Sequence, residues 1–327
     1  MEVKIDIISG FLGGGKTTLI KKLIEEEIYD EKIVIIENEF GEIGIDGTLL
    51  KRFGLEIKEI NSGCICCTLV GDFEKSIKEV IEKFSPKRIV IEPSGVGKLS
   101  EIIKACKSES LKNMVKVNRL MTVVDVERFN IHLLNFGEFF EDQIRYAKTI
   151  LLSRTQDSDS HEIKSVIASI RKLNKKANII TSPWEDISGR QIMDLGEEDI
   201  SIFSKDAPIL RTSLELKSYR HEKVSKMKKI NHTASEIFQM WGIESQKLFN
   251  QEELEEALNK LNKEKCFGNI LRGKGILKIG ENQWIQFDYI PFKLETKRID
   301  GDYTGKMSVI GTGLNKENLN KIFANIN

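Results

Sequence analysis

The chain has 327 residues, 40% of them apolar, enough for more than one hydrophobic core and too many for a single small module. Its 50 Lys and Arg balance 50 Asp and Glu, so no whole-chain field draws it to nucleic acid or to an anionic membrane. Five Pro and 31% charged residues read as a folded, soluble chain, and five Cys, an odd number, argue against a disulfide framework.

Met1 runs straight into the alternation Val3, Ile5, Ile7 with no charged leader, and no uncharged apolar stretch reaches the ~18 residues of a membrane span. A cytoplasmic protein is expected, with neither nucleic acid nor membrane as partner. The first strand is expected over 4–8. Directly behind it, Gly10-Phe-Leu-Gly-Gly-Gly15-Lys16-Thr17-Thr18 satisfies G-x-x-x-x-G-K-[ST] in a strand, loop, helix setting. Gly10, Gly13, Gly14 and Gly15 let main-chain amides turn inward around phosphate oxygens. Lys16 offers a positive charge to the β and γ phosphates, and Thr17 offers a hydroxyl to Mg²⁺. Thr18 opens a helical pattern over 18–27.

A second strand over 33–37 enters the loop Glu37-Asn38-Glu39-Phe40-Gly41-Glu42-Ile43-Gly44-Ile45-Asp46, where carboxylates alternate with glycines as in a switch segment. A third strand over 56–60 precedes Gly63-Cys64-Ile65-Cys66-Cys67. Three clustered thiols are soft ligands for Zn²⁺ or Cu(I) and can hold Co²⁺ or Ni²⁺. Closed zinc sites recruit two separated ligand pairs, so a single knot leaves one position open and suits metal release. The start of the amphipathic helix expected over 72–84 favours the thiolate form.

The strand over 88–92 ends in Glu92, the second carboxylate that a P-loop needs for its metal, and Pro93-Ser94-Gly95 follows, where a glycine amide can approach a terminal phosphate. Strands over 120–124, 149–152 and 178–181 alternate with helical patterns such as 162–173. That order builds an α/β domain whose mostly parallel sheet is covered on both faces.

From 182 to 229 the periodicity weakens, and the basic run 217–229 reads as a solvated connector. The expected division is a nucleotide-binding domain over 1–215, a linker over 216–232 and a smaller α+β domain over 233–327. The last holds a strand over 236–241, a helix capped by Asn250 with Glu252 and Glu253 in its first turn, strands over 270–279, 283–289 and 306–311, and a closing helix over 316–323. Cys106 and Cys266 read as small buried residues, and His132, His161, His221 and His232 as surface residues.

The P-loop, Asn38-Glu39-Phe40-Gly41, the Gly63-Cys67 cluster and Glu92-Pro-Ser-Gly95 together resemble the CobW-type branch of P-loop GTPases, relatives of the HypB and UreG metallochaperones. Leu271-Arg-Gly-Lys-Gly-Ile276, Trp284 and Val309-Ile-Gly-Thr-Gly313 are similar to that family's C-terminal domain, so the likeness covers nearly the whole chain. The resemblance implies binding and hydrolysis of GTP with Mg²⁺, and nucleotide-dependent delivery of Zn²⁺ or another transition metal such as Co²⁺. The recipient would be a client metalloprotein or a corrinoid-enzyme apoprotein, and a nucleotide-dependent homodimer is allowed. Carried over residue by residue, Lys16, Glu92 and Glu39 are the catalytic candidates. Thr17, Glu39, Asp46, Cys64, Cys66 and Cys67 are the metal candidates. The nucleotide candidates are Gly10, Gly13, Gly14, Gly15, Lys16, Thr17, Thr18, Ser94, Gly95, Ser153, Arg154 and Gln156.

One departure concerns the base. Where the family has Asn-Lys-x-Asp, this chain has Ser153-Arg154-Thr155-Gln156. An Asp accepts from both guanine N1–H and its exocyclic amine, whereas Gln156 offers one acceptor and one donor, a mismatch of about 1–3 kcal/mol. The same Gln can pair with an adenine edge. GTP is the first expectation and ATP the alternative. Two other readings stay open: an ATP-using activator of a corrinoid or other metalloenzyme, and a metal-responsive module that binds nucleotide without useful turnover. With only His221 and His232 in the linker, metal buffering there is not expected, and Lys98-Leu99, a further departure, is given no role.

Overall fold

The computed structural model describes residues 2–26, 28–29, 32–37, 56–59, 70–197, 238–245, 247–263, 265–280, 283–291, 293–299 and 305–324. The first domain is built on β1 (Val3–Gly10), whose side chains are buried at every position but one. Such continuous burial marks a strand covered on both faces. With β2 (Ile33–Glu37), β3 (Glu56–Glu59), β4 (Arg88–Glu92), β5 (Val115–Asp125), β6 (Thr149–Ser153) and β7 (Asn178–Ile180), it forms a seven-stranded sheet in the order β3-β2-β4-β1-β5-β6-β7. Every pairing in it is parallel. The crossovers run through α1 (Lys16–Glu25), α2 (Val70–Phe84), α3 (Leu99–Cys106), α4 (Phe129–Tyr146) and α5 (Ser160–Leu173), and α6 (Gly189–Glu197) follows β7.

A buried ionic knot fixes the middle of this sheet. Asp6 on β1 is fully buried, and its carboxylate accepts from Arg88 on β4 at 2.8 Å, from Arg119 on β5 at 3.0 Å and from Asn118 at 3.1 Å. A carboxylate so enclosed is tolerable only because each neighbour supplies a donor, and the arrangement penalises any slip of β4 or β5 against β1. β5 starts at Val115, earlier than the expected 120, because Lys116, Asn118 and Arg119 give that stretch a polar look although it pairs with β1.

The second domain contains β8 (Gln239–Ser245), β9 (Leu248–Phe249), α7 (Gln251–Lys263), β10 (Asn269–Ile279), β11 (Trp284–Ile290), β12 (Lys293–Ile299), β13 (Gly305–Thr312) and α8 (Lys316–Phe323). Its sheet is antiparallel in the order β12-β11-β10-β13-β8, with β9 added parallel to β10. The expected cap is present: Asn250 Oδ1 accepts from the Glu253 amide at 2.7 Å. Sequence reading overlooks β9 and β12. β12 carries Lys293, Glu295, Lys297 and Arg298, the charged habit of an edge strand, and so passes for a loop.

One face of the antiparallel sheet closes a core with α7 and α8 around Leu258, Phe287, Leu319 and Phe323. On the other side, Phe238, Leu271 and Ile310 join Phe11, Leu12, Phe136, Phe139 and Phe140 in one apolar cluster, so the second domain is seated directly against the start of the first domain's glycine loop. The linker, and with it both domain limits expected at 215–216 and 232–233, lies outside the described residues. Two residue readings are corrected. His132 is buried, packed on Phe11 and Phe140 by its position on the inward face of α4. Cys266 is exposed, whereas Cys106 is buried, its thiol pushed up to about 12 by that burial.

Candidate functional site

The carboxyl ends of β1, β4, β5 and β6 open on one side of the parallel sheet, where open α/β sheets place their ligands. The loop after β1 wraps the N-terminus of α1, which begins at Lys16 and has no acidic residue in its first turn, so the positive end of its dipole favours an anion. Gly13, Gly14, Gly15, Lys16, Thr17 and Thr18 line a cleft of about 690 Å³, and Ser153, Arg154 and Gln156 line the same cleft from the end of β6. Gly10 does not line it. With φ of 148°, its missing Cβ leaves room for the Val123 carbonyl, which a Cβ would meet at 2.5 Å, so this glycine lets β1 and β5 approach.

Lys16 is buried, and its ammonium donates to the Phe11 carbonyl at 3.4 Å. Thr17 Oγ1 donates to Glu92 at 2.9 and 3.2 Å from the two carboxylate oxygens. A hydroxyl and a carboxylate brought together from β4 and α1 are hard oxygen donors, the set that suits Mg²⁺. Glu92, Ser94 and Gly95 line a recess that adjoins the cleft and shares Lys16 with it. The Ser94–Gly95 turn is held from behind by Gln143 of α4, whose Nε2 donates to the Gly95 and Gly97 carbonyls at 3.0 and 2.9 Å. Sequence reading had no reason to single out that Gln.

The residues in place of Asn-Lys-x-Asp brace the glycine loop. Ser153 Oγ donates to the Gly14 carbonyl at 2.7 Å. Arg154, in the left-handed region at φ 58°, donates to the Gly13 carbonyl at 3.2 Å and pairs with Asp125 at the end of β5. Burial raises the Asp125 carboxyl, against the opposing pull of Arg154 and then Arg128. Gln156 is exposed, with Nε2 donating to Asp157 at 3.0 Å. Trp184, beyond β7, donates from its indole to the Leu152 carbonyl at 3.0 Å and walls the cleft beside Gly15. As a lone Trp after a short strand it carried no motif signal.

The second domain supplies the opposite wall. Arg272 and Lys274 on β10 and Gln286, Asp288 and Ile290 on β11 line the cleft. Ile290 Cγ2 comes within 2.7 Å of where a Cβ on Gly13, at φ 71°, would stand. Arg128 bridges the domains by donating to the Pro291 carbonyl at 2.9 Å. Burial, and then the charge of Lys274, lowers the pKa of Lys21 on α1. In the sequence, Arg272 and Lys274 stand out only within the stretch similar to the family's C-terminal domain. Their signal is two cations alternating with two glycines in the stretch 271–276, bounded by the apolar Leu271 and Ile276.

Glu39, Asp46, Cys64, Cys66 and Cys67 lie outside the described residues. Among the described residues no group of three or more His, Cys, Asp or Glu is placed to hold a metal ion, and no helix is long and apolar enough to cross a membrane.

A glycine loop on the first parallel strand, a helix behind it, and a carboxylate at the end of a neighbouring strand define a P-loop nucleotide-binding domain of the NTPase fold, here joined to an antiparallel α+β domain. Residues 4–181 match the family described as CobW/HypB/UreG, nucleotide-binding domain, and residues 238–327 match the cobalamin synthesis protein cobW C-terminal domain. The chain belongs to the CobW/HypB/UreG family. It is 31% identical over 232 residues to the zinc chaperone CobW of a Sinorhizobium species, covering 61% of this chain and 65% of that protein. It is 29% identical over 191 residues to the zinc chaperone YjiA of Escherichia coli, covering 57% and 59% of the two. The chain thus spans between 46% and 65% of the length of the curated relatives it matches. Among solved structures, the Zn(II)-bound YjiA GTPase from E. coli superimposes with a TM-score of 0.44 at 20% identity, over 98% of both chains.

Proposed function

We propose that this protein is a nucleotide-hydrolysing metallochaperone. It binds GTP with Mg²⁺ in the cleft, takes Zn²⁺ or Co²⁺ as cargo at Cys64, Cys66 and Cys67, and couples hydrolysis to handing that ion to a client metalloprotein. The observation that carries the reading is the meeting of Lys16, Thr17 and Glu92 at the head of a helix, where the dipole and the outward-facing amides of a first turn favour phosphate. Two relatives named zinc chaperones and the Cys-x-Cys-Cys spacing support the choice of cargo.

In this reading the glycine-loop amides and Lys16 hold the β and γ phosphates, and the Ser94–Gly95 turn, fixed by Gln143, faces the terminal phosphate. Mg²⁺, held by Thr17 and Glu92, supplies neutralisation of phosphate charge. Gln156 donates one Nε2 hydrogen to Asp157, which leaves its Oε1 to accept and its second N–H to donate, so it can meet a guanine or an adenine edge, and GTP stands first on the family alone. A switch of the Glu37–Asp46 segment, with Glu39 and Asp46 near nucleotide or metal, a client that includes corrinoid-enzyme apoproteins, and a nucleotide-dependent homodimer complete the proposal.

Lys16→Ala should cut phosphate release by ~100-fold or more, the scale of losing a main electrostatic stabiliser. Replacing Cys64, Cys66 and Cys67 together by Ser should abolish Zn²⁺ binding and leave nucleotide binding intact. A Zn²⁺ titration of the wild type with and without nucleotide decides the coupling: metal affinity that ignores nucleotide would reduce the thiols to a structural site. Competition of ATP against GTP decides the base, and a clear preference for ATP would favour the activator reading.

A further inference from the structure

The cleft beside the glycine loop and the recess beside Glu92 meet at three residues common to both linings: Lys16, Arg272 and Lys274. Lys16 belongs to the P-loop. The other two come from the second domain, on the strand β10 that runs between β11 and β13. We propose that Lys274 and Arg272 are ligands of the terminal phosphate of a bound nucleoside triphosphate, so that the second domain forms part of the nucleotide site and senses whether that phosphate is present. The inference rests on the nucleotide reading above and goes beyond it by adding residues from outside the P-loop domain.

Placement comes first. Residues 272 and 274 are two apart on a strand and therefore share a face, which also carries Ser308 and Asp288 opposite Lys274 and Ile310 opposite Arg272, and which lines the cleft and recess. Arg272 is aimed by Asp288, which it meets at 2.9 Å. Lys274 is only 5% exposed. An ammonium enclosed to that degree is little screened by water, so it acts strongly on an anion that enters the recess it lines.

Charge is the second argument. Around the recess stand the cations Lys16, Arg272 and Lys274 and the carboxylates Glu37 and Glu92, with Lys21 close enough to feel the charge of Lys274. Glu92 is engaged by Thr17 and is committed to the metal when one binds. A triphosphate brings several negative charges to this spot, and among the described residues the P-loop lysine is the first domain's one ammonium lining both cavities. Two further cations on a rigid sheet match the γ-phosphate by position and by sign, and a diphosphate would leave them without that partner.

A purely structural role for Lys274, tying the domains through carboxylates, would alter stability and leave the preference for triphosphate over diphosphate unchanged. The test is titration of the full-length wild type, Lys274→Gln and Lys274→Arg with fluorescent GTP and GDP in Mg²⁺, and with the ATP and ADP pair alongside. Lys274→Gln should weaken triphosphate binding by ~10-fold or more, as expected for one charge-assisted contact, with ~3-fold or less on the diphosphate, while Lys274→Arg restores most of the difference. An unchanged triphosphate-to-diphosphate ratio in Lys274→Gln overturns the proposal while leaving the nucleotide site standing. Failure of the wild type to bind any of the four nucleotides overturns the nucleotide reading itself. Should Lys274→Gln not fold, amide exchange of the wild type over 269–279 decides. Stronger protection with a non-hydrolysable triphosphate than with diphosphate supports the contact, and equal protection sinks it.

Discussion

The two walls of the cleft are made of different material. On the P-loop side the anion-seeking groups are main-chain amides at the start of α1, held in place by glycines, by Ser153 and Arg154 on the loop carbonyls, and by the buried Lys16. On the other side the polar groups are side chains of alternate strand residues, Arg272 and Lys274, braced by Asp288. A wall built of backbone tolerates almost any side chain provided that its glycines stay. A wall built of side chains tolerates changes of backbone context provided that its charges stay. The first should therefore break on adding a methyl group, and the second on removing a charge.

The largest effect is expected at Gly10. A methyl at this position meets the Val123 carbonyl at 2.5 Å, in backbone that L-residues rarely adopt, and the object it meets belongs to β5 and cannot rotate away. Gly10→Ala should cost about 3 kcal/mol of stability, adding overpacking to an unfavourable φ, and should weaken nucleotide binding by shifting the loop that follows. Urea denaturation measures it. A loss below about 1 kcal/mol would show that β1 and β5 separate easily, and the claim of a rigid backbone wall would go with it.

This asymmetry also explains what could be read in advance. The P-loop side is local in sequence: strand, glycines, Lys16, Thr17 and helix follow one another, and each obeys a rule about amides, φ or periodicity. Glu92 could be singled out because it ends an apolar strand, and in the fold its carboxylate accepts from the Thr17 hydroxyl. The other wall is assembled from residues some 250 positions away along the chain, and nothing in Leu271-Arg-Gly-Lys-Gly-Ile276 says which face of β10 meets which neighbour. His132 was misjudged for the same reason: one polar residue on a helix reads as exposed until the packing of Phe11 and Phe140 is known. Gln143 was missed because its task, holding the Gly95 carbonyl, is defined only by tertiary contact.

A smaller effect sharpens the comparison where the two walls touch. Gly13→Ala places a methyl 2.7 Å from Ile290 Cγ2 on top of the strain of φ 71°. Ile290→Ala removes the obstruction and leaves the strain. Gly13→Ala should cost about 2–3 kcal/mol in the wild type and about 1 kcal/mol in the Ile290→Ala background, a coupling of ~1–2 kcal/mol from a double-mutant cycle on urea midpoints. Additive losses would mean that the second domain yields freely, and a sheet so loosely seated would make a poor carrier for two aimed cations.

The smallest effect concerns His132, which sits 4.6 Å, ring to ring, from Phe11 at the root of the glycine loop. Burial, reinforced by the charges of Arg128 and then Arg154, pushes its pKa from 6.5 down to about 3, so the folded protein keeps this imidazole neutral. The unfolded chain takes up a proton near pH 6.5, and the folded one does so only near 3. Between those values the unfolded state binds more protons, so stability present above pH 6.5 is lost as the pH falls. The slope from this one group is at most ~1.4 kcal/mol per pH unit. His132→Phe keeps an aromatic ring on Phe11 and Phe140 and removes the titration, so its stability should fall less steeply than the wild type's between pH 6 and 4, about the limits where urea midpoints can be compared. Since Asp125 and Glu101, whose carboxyls burial raises, titrate alike in both proteins, their contributions cancel in the difference. Parallel curves would mean that water reaches His132. The apolar cluster joining the second domain to Phe11 would then be open at the point where the backbone wall begins.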